Sequence, residues 1–157
     1  MAKTPEASVP TRAVMWLETR VVNPVVERIL RSPLHPLLSW RLALLEYEGR
    51  VSGKTITTPV MYGQLDNSVV VTTDRNATDW WKNFRDGHPA TLWLGGQPVE
   101  VTGRAKLDPT EIADAYIELS TRSRVWRWVI RGLGIQPTAP RDEIEAATTD
   151  VVLVEFD

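Results

Sequence analysis

The sequence predicts a mainly β protein with flanking helices, built around a small antiparallel β-barrel of about six strands. The strands are predicted from six short apolar runs, bounded by Gly, Asn or Asp. Most of these runs follow one another as hairpins, without the regular alternation of strand and helix that a parallel sheet requires. Closure into a barrel also removes the strand edges that an open apolar sheet would expose.

The first 40 residues predict a helical leader that covers the core. Residues 1–11 are expected to be flexible, and residues 12–22 are apolar and compatible with a helix. Asn23 and Pro24 then begin a helix that should end near Arg31, because asparagine is a good N-cap and proline is tolerated at the first helical position. A short helix or turn follows, so the leader is expected over residues 12–40.

The barrel core is predicted over residues 42–107. Strands begin at Leu42, Thr55 and Ser68, and a short helix started by Thr78 precedes a hairpin formed by ATLWLGG and QPVEVTGRAKL. Apolar and polar residues alternate from Val99 to Leu107, which predicts one dry and one wet face on that strand.

One long helix and a sixth strand are predicted to complete the fold. Asp108 and Pro109 begin the helix, expected over residues 109–132, and the last strand is expected over residues 150–156. The apolar side of the helix carries Ile112, Tyr116, Leu119, Trp126 and Ile130. A chain of 157 residues is too short for two ordinary domains, so we expect a single split-barrel domain over residues 1–157.

Composition argues against several function classes. The chain has no cysteine and two histidines, so no disulfide and no metal site are expected. A formal net charge of −2 argues against a general nucleic-acid binder. The longest run without Asp, Glu, Lys or Arg, residues 88–99, is shorter than the roughly 20 residues that a membrane span needs. The first residues do not resemble a secretory signal, so we expect a cytoplasmic protein.

A glycine-flanked turn, GRVSGKT, carries two cations and a hydroxyl. The run is one residue short of a phosphate-binding P-loop, and Ser52 is misplaced for a serine hydrolase, so neither activity is expected. Arg50, Ser52 and Lys54 are instead suited to bind an anion. The alternative is a solvated β-turn with ordinary surface charge.

Two adjacent tryptophans stand in the segment DWWKNF. On a helix Trp80 and Trp81 would point about 100° apart, so only one of them can lie at the centre of a core-facing stripe. The other is expected to flank a cavity, where a planar apolar ligand would stack. The alternative is that both pack beneath the barrel rim.

A third aromatic segment, SRVWRWVIRG, combines tryptophan with arginine. Trp126 lies on the apolar stripe of the long helix, whereas Trp128 points nearly opposite, among arginines. Trp128 is therefore a candidate cofactor-tail clamp, protomer contact or membrane-surface anchor, and packing against the leader is the alternative. No catalytic dyad is visible, which suits an enzyme whose chemistry resides in a bound cofactor.

The runs GRVSGKTITTPVMY, SVVVTT and WWKNF together resemble the deazaflavin-dependent nitroreductase family, also called the reduced-deazaflavin-dependent quinone reductases. The residues that match its two motifs are Gly49, Arg50, Ser52, Gly53 and Pro59, and Trp80, Trp81, Asn83 and Phe84. The similarity spans roughly residues 40–107. The resemblance implies a split β-barrel. It also implies an oxidoreductase that passes a hydride from reduced coenzyme F(420) to an electron-poor acceptor such as a quinone, enone or nitro compound.

The resemblance also implies where the deazaflavin would bind. The anionic tail would lie on Arg50, Ser52, Gly53 and Lys54, and the ring beside Thr57, Thr58, Pro59, Val71, Thr72 and Thr73, framed by Trp80, Trp81 and Asn83, with Arg75 where the family often has lysine. Cations frequent in the family are replaced by Val51 and Ile56. FMN as the cofactor, and a non-catalytic carrier of flavin, deazaflavin or tetrapyrrole, therefore stay open as alternatives.

The leader, together with Trp126 and Trp128, is expected to cover the side of the cofactor on which the hydride acceptor binds. The apolar character of these segments predicts a small lipophilic substrate, with peripheral membrane contact as an open alternative.

Overall fold

A computed structural model describes residues 23–157 of the protein. The predictions made for residues 1–22 lie outside the described residues. The strands are β1 (Leu42–Glu48), β2 (Thr55–Leu65), β3 (Ser68–Asp74), β4 (His88–Leu94), β5 (Gln97–Lys106) and β6 (Val151–Phe156). The helices are α1 (Asn23–Arg31), α2 (Pro109–Arg122), α3 (Arg124–Gly132) and α4 (Arg141–Ala147), and 3₁₀ turns span His35–Leu37 and Trp80–Phe84.

The six strands form a closed antiparallel barrel in the order β1-β2-β3-β6-β5-β4. This confirms the mainly β fold class and the barrel with flanking helices. Three neighbouring pairs, β1 with β2, β2 with β3 and β4 with β5, are hairpins joined by short turns. β6 closes the barrel by pairing with both β3 and β5.

Aliphatic and aromatic side chains together fill the interior of the barrel. Phe84, at the end of the second 3₁₀ turn, is fully buried and packs edge-on against Tyr47 and Phe156, with ring centroids 5.2 and 5.3 Å away. Gly103 of β5 makes room for this packing, because a Cβ there would lie 2.7 Å from Phe156 Cε1 and closer still to Phe84. The 3₁₀ turn is thus anchored in the barrel core.

A second hydrophobic cluster joins α2 and α3 to the outside of the barrel. Val70 of β3 and Leu153 of β6 are buried against the helices. Gly63 of β2 allows the close approach, since a Cβ there would lie 2.6 Å from Leu119 and 2.7 Å from Trp126. Leu119 and Trp126 therefore pack directly over Gly63, where β2 has no side chain.

The prediction of one long helix over residues 109–132 is wrong at Ser123. That residue is extended, with φ −135° and ψ 129°, and separates α2 from α3. Its amide donates to the Leu119 carbonyl at 2.9 Å, and its carbonyl accepts from the Arg127 amide at 3.2 Å, so Ser123 ends one helix and begins the next. The predicted apolar stripe survives the break, because all five of its residues are buried.

Two further predictions are refined by the structure. The start of α2 is confirmed, because the Asp108 carboxylate accepts from the amides of Thr110 and Glu111 at 2.8 and 3.3 Å. The apolar face predicted for residues 99–107 is shielded from solvent only in its middle, since Val99 and Leu107 at its two ends are 41% and 39% exposed. Helix α4 was not predicted.

Candidate functional site

The turn between β1 and β2 is closed by its own main chain. The Gly49 amide donates to the Lys54 carbonyl at 2.9 Å, and the Gly53 amide donates to the Gly49 carbonyl at 2.8 Å. Gly53 has φ +64°, and a Cβ on Gly49 would lie 2.7 Å from Ser52 Oγ. Gly53 therefore supplies the positive φ of this turn, whereas a side chain at Gly49 would have to displace the Ser52 hydroxyl.

Asn83 ties this turn to the second 3₁₀ turn. Its side-chain oxygen accepts a hydrogen bond from the Arg50 amide at 2.9 Å, and its side-chain nitrogen donates to the Trp80 carbonyl at 2.8 Å. Residues three apart in a 3₁₀ turn lie above one another, which lets Asn83 reach back to Trp80. The two motifs of the family resemblance thus meet through one side chain.

A cleft of about 740 Å³ lies between the two turns. It is lined by Tyr47, Gly49, Arg50, Val51, Ser52, Ile56, Asp79, Trp80, Lys82 and Asn83. Its volume falls within the range of about 300 to 1,000 Å³ that small-molecule sites occupy. One wall carries donors from the glycine turn, and another carries the indole of Trp80.

Each cation of the cleft has an acidic neighbour. Arg50 Nη1 lies 3.4 Å from the Asp86 carboxylate, and Lys82 is paired with Asp79. These side chains are exposed, so the pairs are weak and can open for another anion. Asp74 of β3 accepts hydrogen bonds from the amides of Asn76 and Ala77 in the loop that follows the strand.

A smaller recess of about 320 Å³ adjoins the cleft. Tyr47, Ile56 and Trp80 line both cavities, which places the two side by side. The other lining residues are Pro24 and Glu27 of α1 and Thr57 and Thr58 of β2. Two of the four predicted ring-binding threonines and part of the helical leader therefore share one recess.

Tyr47 is the residue that sequence reasoning missed. It is 4% exposed, and burial raises the pKa of its phenol above the ordinary value. Its position in β1 after Ala43 and Leu45, on the same face, was the available signal that it points into the barrel. Lys82 was likewise not assigned to the cleft from sequence.

Several predicted site residues do not line either cavity. Trp81 is 2% exposed, belongs to the barrel core and donates from Nε1 to the Thr78 carbonyl at 2.9 Å. Of the predicted pair, Trp80 therefore borders the cleft and Trp81 packs inside. Gly53 and Lys54 belong to the turn, and Pro59 lies opposite Leu44 in the β1–β2 pair, but none of the three lines a cavity.

The end of β3 also lies apart from the cleft. Val71 is 2% exposed in the barrel core, and Thr72 lies near the Tyr116 phenol of the outer cluster. The Thr73 hydroxyl is bonded to that of Thr78 at 2.7 Å, and the Arg75 amide donates to the Asp150 carbonyl at 2.7 Å. β3 is separated from β1 by β2, so its residues do not join the wall that carries Tyr47.

Trp126 and Trp128 contribute to neither cavity. Trp126 is 2% exposed and packs edge-on against Tyr116 in the cluster outside the barrel, with ring centroids 5.7 Å apart. Trp128 is 68% exposed, on the opposite face of α3. The structure therefore does not bring these two indoles to the cleft.

Two further findings concern the described residues alone. Within residues 23–157, no helix is long and apolar enough to cross a membrane. No group of three or more His, Cys, Asp or Glu side chains in the same range is arranged to hold a metal ion.

No protein-family model and no curated protein matches this sequence. Among similar solved structures, one described as a domain-swapped dimer has a TM-score of 0.51 at 13% identity, over 95% of this chain and 100% of that chain. A protein assigned as a pyridoxamine 5'-phosphate oxidase from Listeria innocua has a TM-score of 0.46 at 12% identity, covering 85% of this chain and 92% of the other. A structure described as an F(420) reductase has a TM-score of 0.39 at 16% identity, with coverages of 83% and 90%. The first of these likenesses supports the fold and nothing beyond it.

Proposed function

We propose that this protein is an oxidoreductase that binds the deazaflavin coenzyme F(420) in the cleft between the glycine turn and Trp80. The observation that supports the proposal most directly is the contact between Asn83 and the Arg50 amide at 2.9 Å. It joins the two sequence motifs of the resemblance at the edge of a cavity of suitable size.

The donor set of the cleft suits a phosphorylated planar coenzyme. Arg50, Ser52 and Lys82 offer a guanidinium, a hydroxyl and an ammonium group to a phosphate. Among the described residues, no hydrogen bond engages the amides of Val51 and Ser52, which are further donors for an anion. Trp80 offers an apolar surface on which a conjugated ring can stack.

When bound, the reduced deazaflavin supplies a hydride for transfer to an acceptor. Arg50 and Ser52 of the glycine turn, together with Lys82, would bind the phosphate end, Lys54 would add positive charge on the same turn, and Trp80 would border the ring. The adjoining recess takes the acceptor, a small lipophilic quinone, enone or nitro compound. An ordinary phenol already carries its proton at neutral pH, and burial raises the pKa of Tyr47 further, so Tyr47 Oη is available as a hydrogen-bond donor and not as a base.

A second candidate function is non-catalytic binding of a flavin-type ligand, or use of FMN. Asp79 and Asp86 lie beside the cations of the cleft and reduce its net positive charge. A coenzyme tail rich in carboxylates gains less from such a cleft than a ligand with a single phosphate does. This charge balance is the observation that favours the second candidate.

Turnover separates an oxidoreductase from a carrier. Reduced coenzyme F(420) is mixed with the full chain, menadione is added, and the visible absorbance of the oxidised coenzyme is followed. We expect the protein to accelerate the oxidation over the protein-free reaction. Binding of the coenzyme without acceleration would identify a carrier, and a protein that purifies yellow with FMN would overturn the cofactor assignment.

A further inference from the structure

The solvent-facing side of α3 carries only arginine and one tryptophan. Side chains on an α-helix follow at about 100° per residue, so Arg124, Arg127, Trp128 and Arg131 fall within an arc of about 100°. All four are exposed, and Trp128 is 68% exposed. We define these four residues as the α3 basic face.

The opposite side of α3 is fixed in the protein core. Trp126 and Ile130 are 2% and 0% exposed in the cluster that α3 shares with α2 and the barrel. The backbone of α3 therefore does not have to be ordered when a partner binds, which lowers the entropic cost of binding.

The described residues place no carboxylate in an ion pair with the arginines of this face. The ion pairs formed nearby use Arg122, which contacts Asp66 and Glu118, and Arg141, which contacts Asp114. Within residues 23–157, none of the ion pairs involves Arg124, Arg127 or Arg131. A concentrated positive charge thus faces solvent on a protein whose formal net charge is −2.

We propose that the α3 basic face docks the protein on an anionic lipid bilayer. The three guanidinium groups attract lipid phosphates, and the exposed indole enters the interfacial region that tryptophan favours. A nucleic acid fits less well, because the cationic surface is one helix of about 13 Å in length and its exposed indole has a place in the bilayer interface. The inference does not depend on the cofactor proposed above.

Vesicle co-sedimentation of the full chain tests the proposal. We expect binding to vesicles of phosphatidylcholine with about one third phosphatidylglycerol, and none to phosphatidylcholine alone. Binding should fall as salt rises from about 0.1 to 0.5 M, because the Debye length shortens. Failure to bind the anionic vesicles, or binding to both compositions alike, would overturn the proposal.

Variants assign the binding to α3. Each arginine at an anionic surface contributes a factor of about five to partitioning. The affinity of R124Q/R127Q/R131Q for the anionic vesicles should therefore fall on the order of a hundredfold. The vesicle affinity of W128A should fall several-fold, and its salt dependence should be retained. The control R85Q/R104Q/R141Q removes the same formal charge elsewhere and should bind within about threefold of the unmodified chain.

Three outcomes of the variant series would contradict the proposal. An equal loss in the control would show a general charge effect. Unchanged binding of the α3 triple variant would place the lipid contact on another surface. Stronger salt-dependent binding to duplex DNA than to the anionic vesicles would show that the face recognises a nucleic acid instead.

Discussion

The side-chain oxygen of Asn83 lies 2.9 Å from the main-chain nitrogen of Arg50, which donates a hydrogen bond to it. The same side chain donates to the Trp80 carbonyl at 2.8 Å, so one amide holds both edges of the cleft. The turn that carries Arg50 is thereby fixed against a 3₁₀ turn whose Phe84 is buried in the barrel. Placement of the anion donors thus rests on the barrel core.

Replacement of Asn83 by alanine should release the glycine turn. The variant leaves the Arg50 amide and the Trp80 carbonyl without this partner, and we expect it to lower the free energy of unfolding by about 1 to 2 kcal/mol. The affinity for coenzyme F(420) should fall about tenfold, because the phosphate donors lose their fixed position. Urea unfolding and a binding titration measure the two effects, with Asn76→Ala in an exposed loop as control. An unchanged affinity would show that Asn83 does not position the turn.

The two adjacent tryptophans should respond differently to alanine. Trp81→Ala removes a ring that is 2% exposed and should lower the free energy of unfolding by about 3 to 5 kcal/mol. Trp80→Ala should have a smaller effect on stability and weaken deazaflavin binding about tenfold, because Trp80 lines the cleft. Thermal unfolding and a binding titration distinguish them. Equal effects of both variants on binding would contradict the division into a core ring and a cleft ring.

Alanine substitutions at two glycines should change the stability of the protein in opposite directions. Gly63→Ala places a Cβ 2.6 Å from Leu119 and should destabilise the protein by about 1 to 3 kcal/mol through overpacking between β2 and the helices. Gly132→Ala, at the end of α3, meets no atom within 4 Å and should stabilise the helix by up to about 1 kcal/mol. Chemical unfolding of both variants checks this pair. Unchanged stability of Gly63→Ala would show that Leu119 and Trp126 do not pack closely over Gly63.

The ion pair between Lys106 and Glu155 should make stability depend on pH. Its hydrogen bond lowers the pKa of Glu155 and raises that of Lys106, with the charged groups 2.7 Å apart. The Glu155 contribution is present above the pKa of an unfolded glutamate and is lost as pH falls through the lowered pKa of the folded state. The Lys106 contribution is present below the pKa of an unfolded lysine and is lost as pH rises through the raised pKa.

A double-mutant cycle measures this coupling. K106M, E155Q and the double variant should give a coupling of about 0.2 to 1 kcal/mol at neutral pH, and the coupling should vanish in acid. The more exposed pair Arg104 and Asp157 is the control and should show a smaller coupling. A coupling that persists when Glu155 is protonated would contradict the ionic origin.

Strands and turns could be predicted from sequence because their signals are local. The glycines that bound the turn before β2, and the Asp108 and Pro109 start of α2, needed no knowledge of the rest of the chain. The break at Ser123 was missed because the apolar stripe continues across it with helical spacing. Burial of Leu119 and Trp126 on both sides of the break requires only that each helix faces the same core.

The candidate site was harder to predict from the sequence than the strands were, because it depends on contacts between residues that are distant along the chain. Arg50 and Asn83 are separated by 33 positions, and no local pattern reports that they touch. Val71 was assigned to the ring by resemblance, but its partners Tyr62 and Val154 in the sheet place it in the barrel core. Tyr47 was overlooked because an apolar strand does not reveal which end opens into a cavity.

The central claim is that the glycine turn binds the phosphate end of a deazaflavin. Titration of the full chain with coenzyme F(420) and FMN side by side, repeated with R50A/K54A, tests it most directly. We predict tighter binding of coenzyme F(420), and a loss of about tenfold or more in the variant that diminishes at high salt. R104A/K106A, which removes the same charge from β5, should bind like the unmodified chain. Tighter binding of FMN, or an affinity for coenzyme F(420) unchanged by R50A/K54A, would contradict the account.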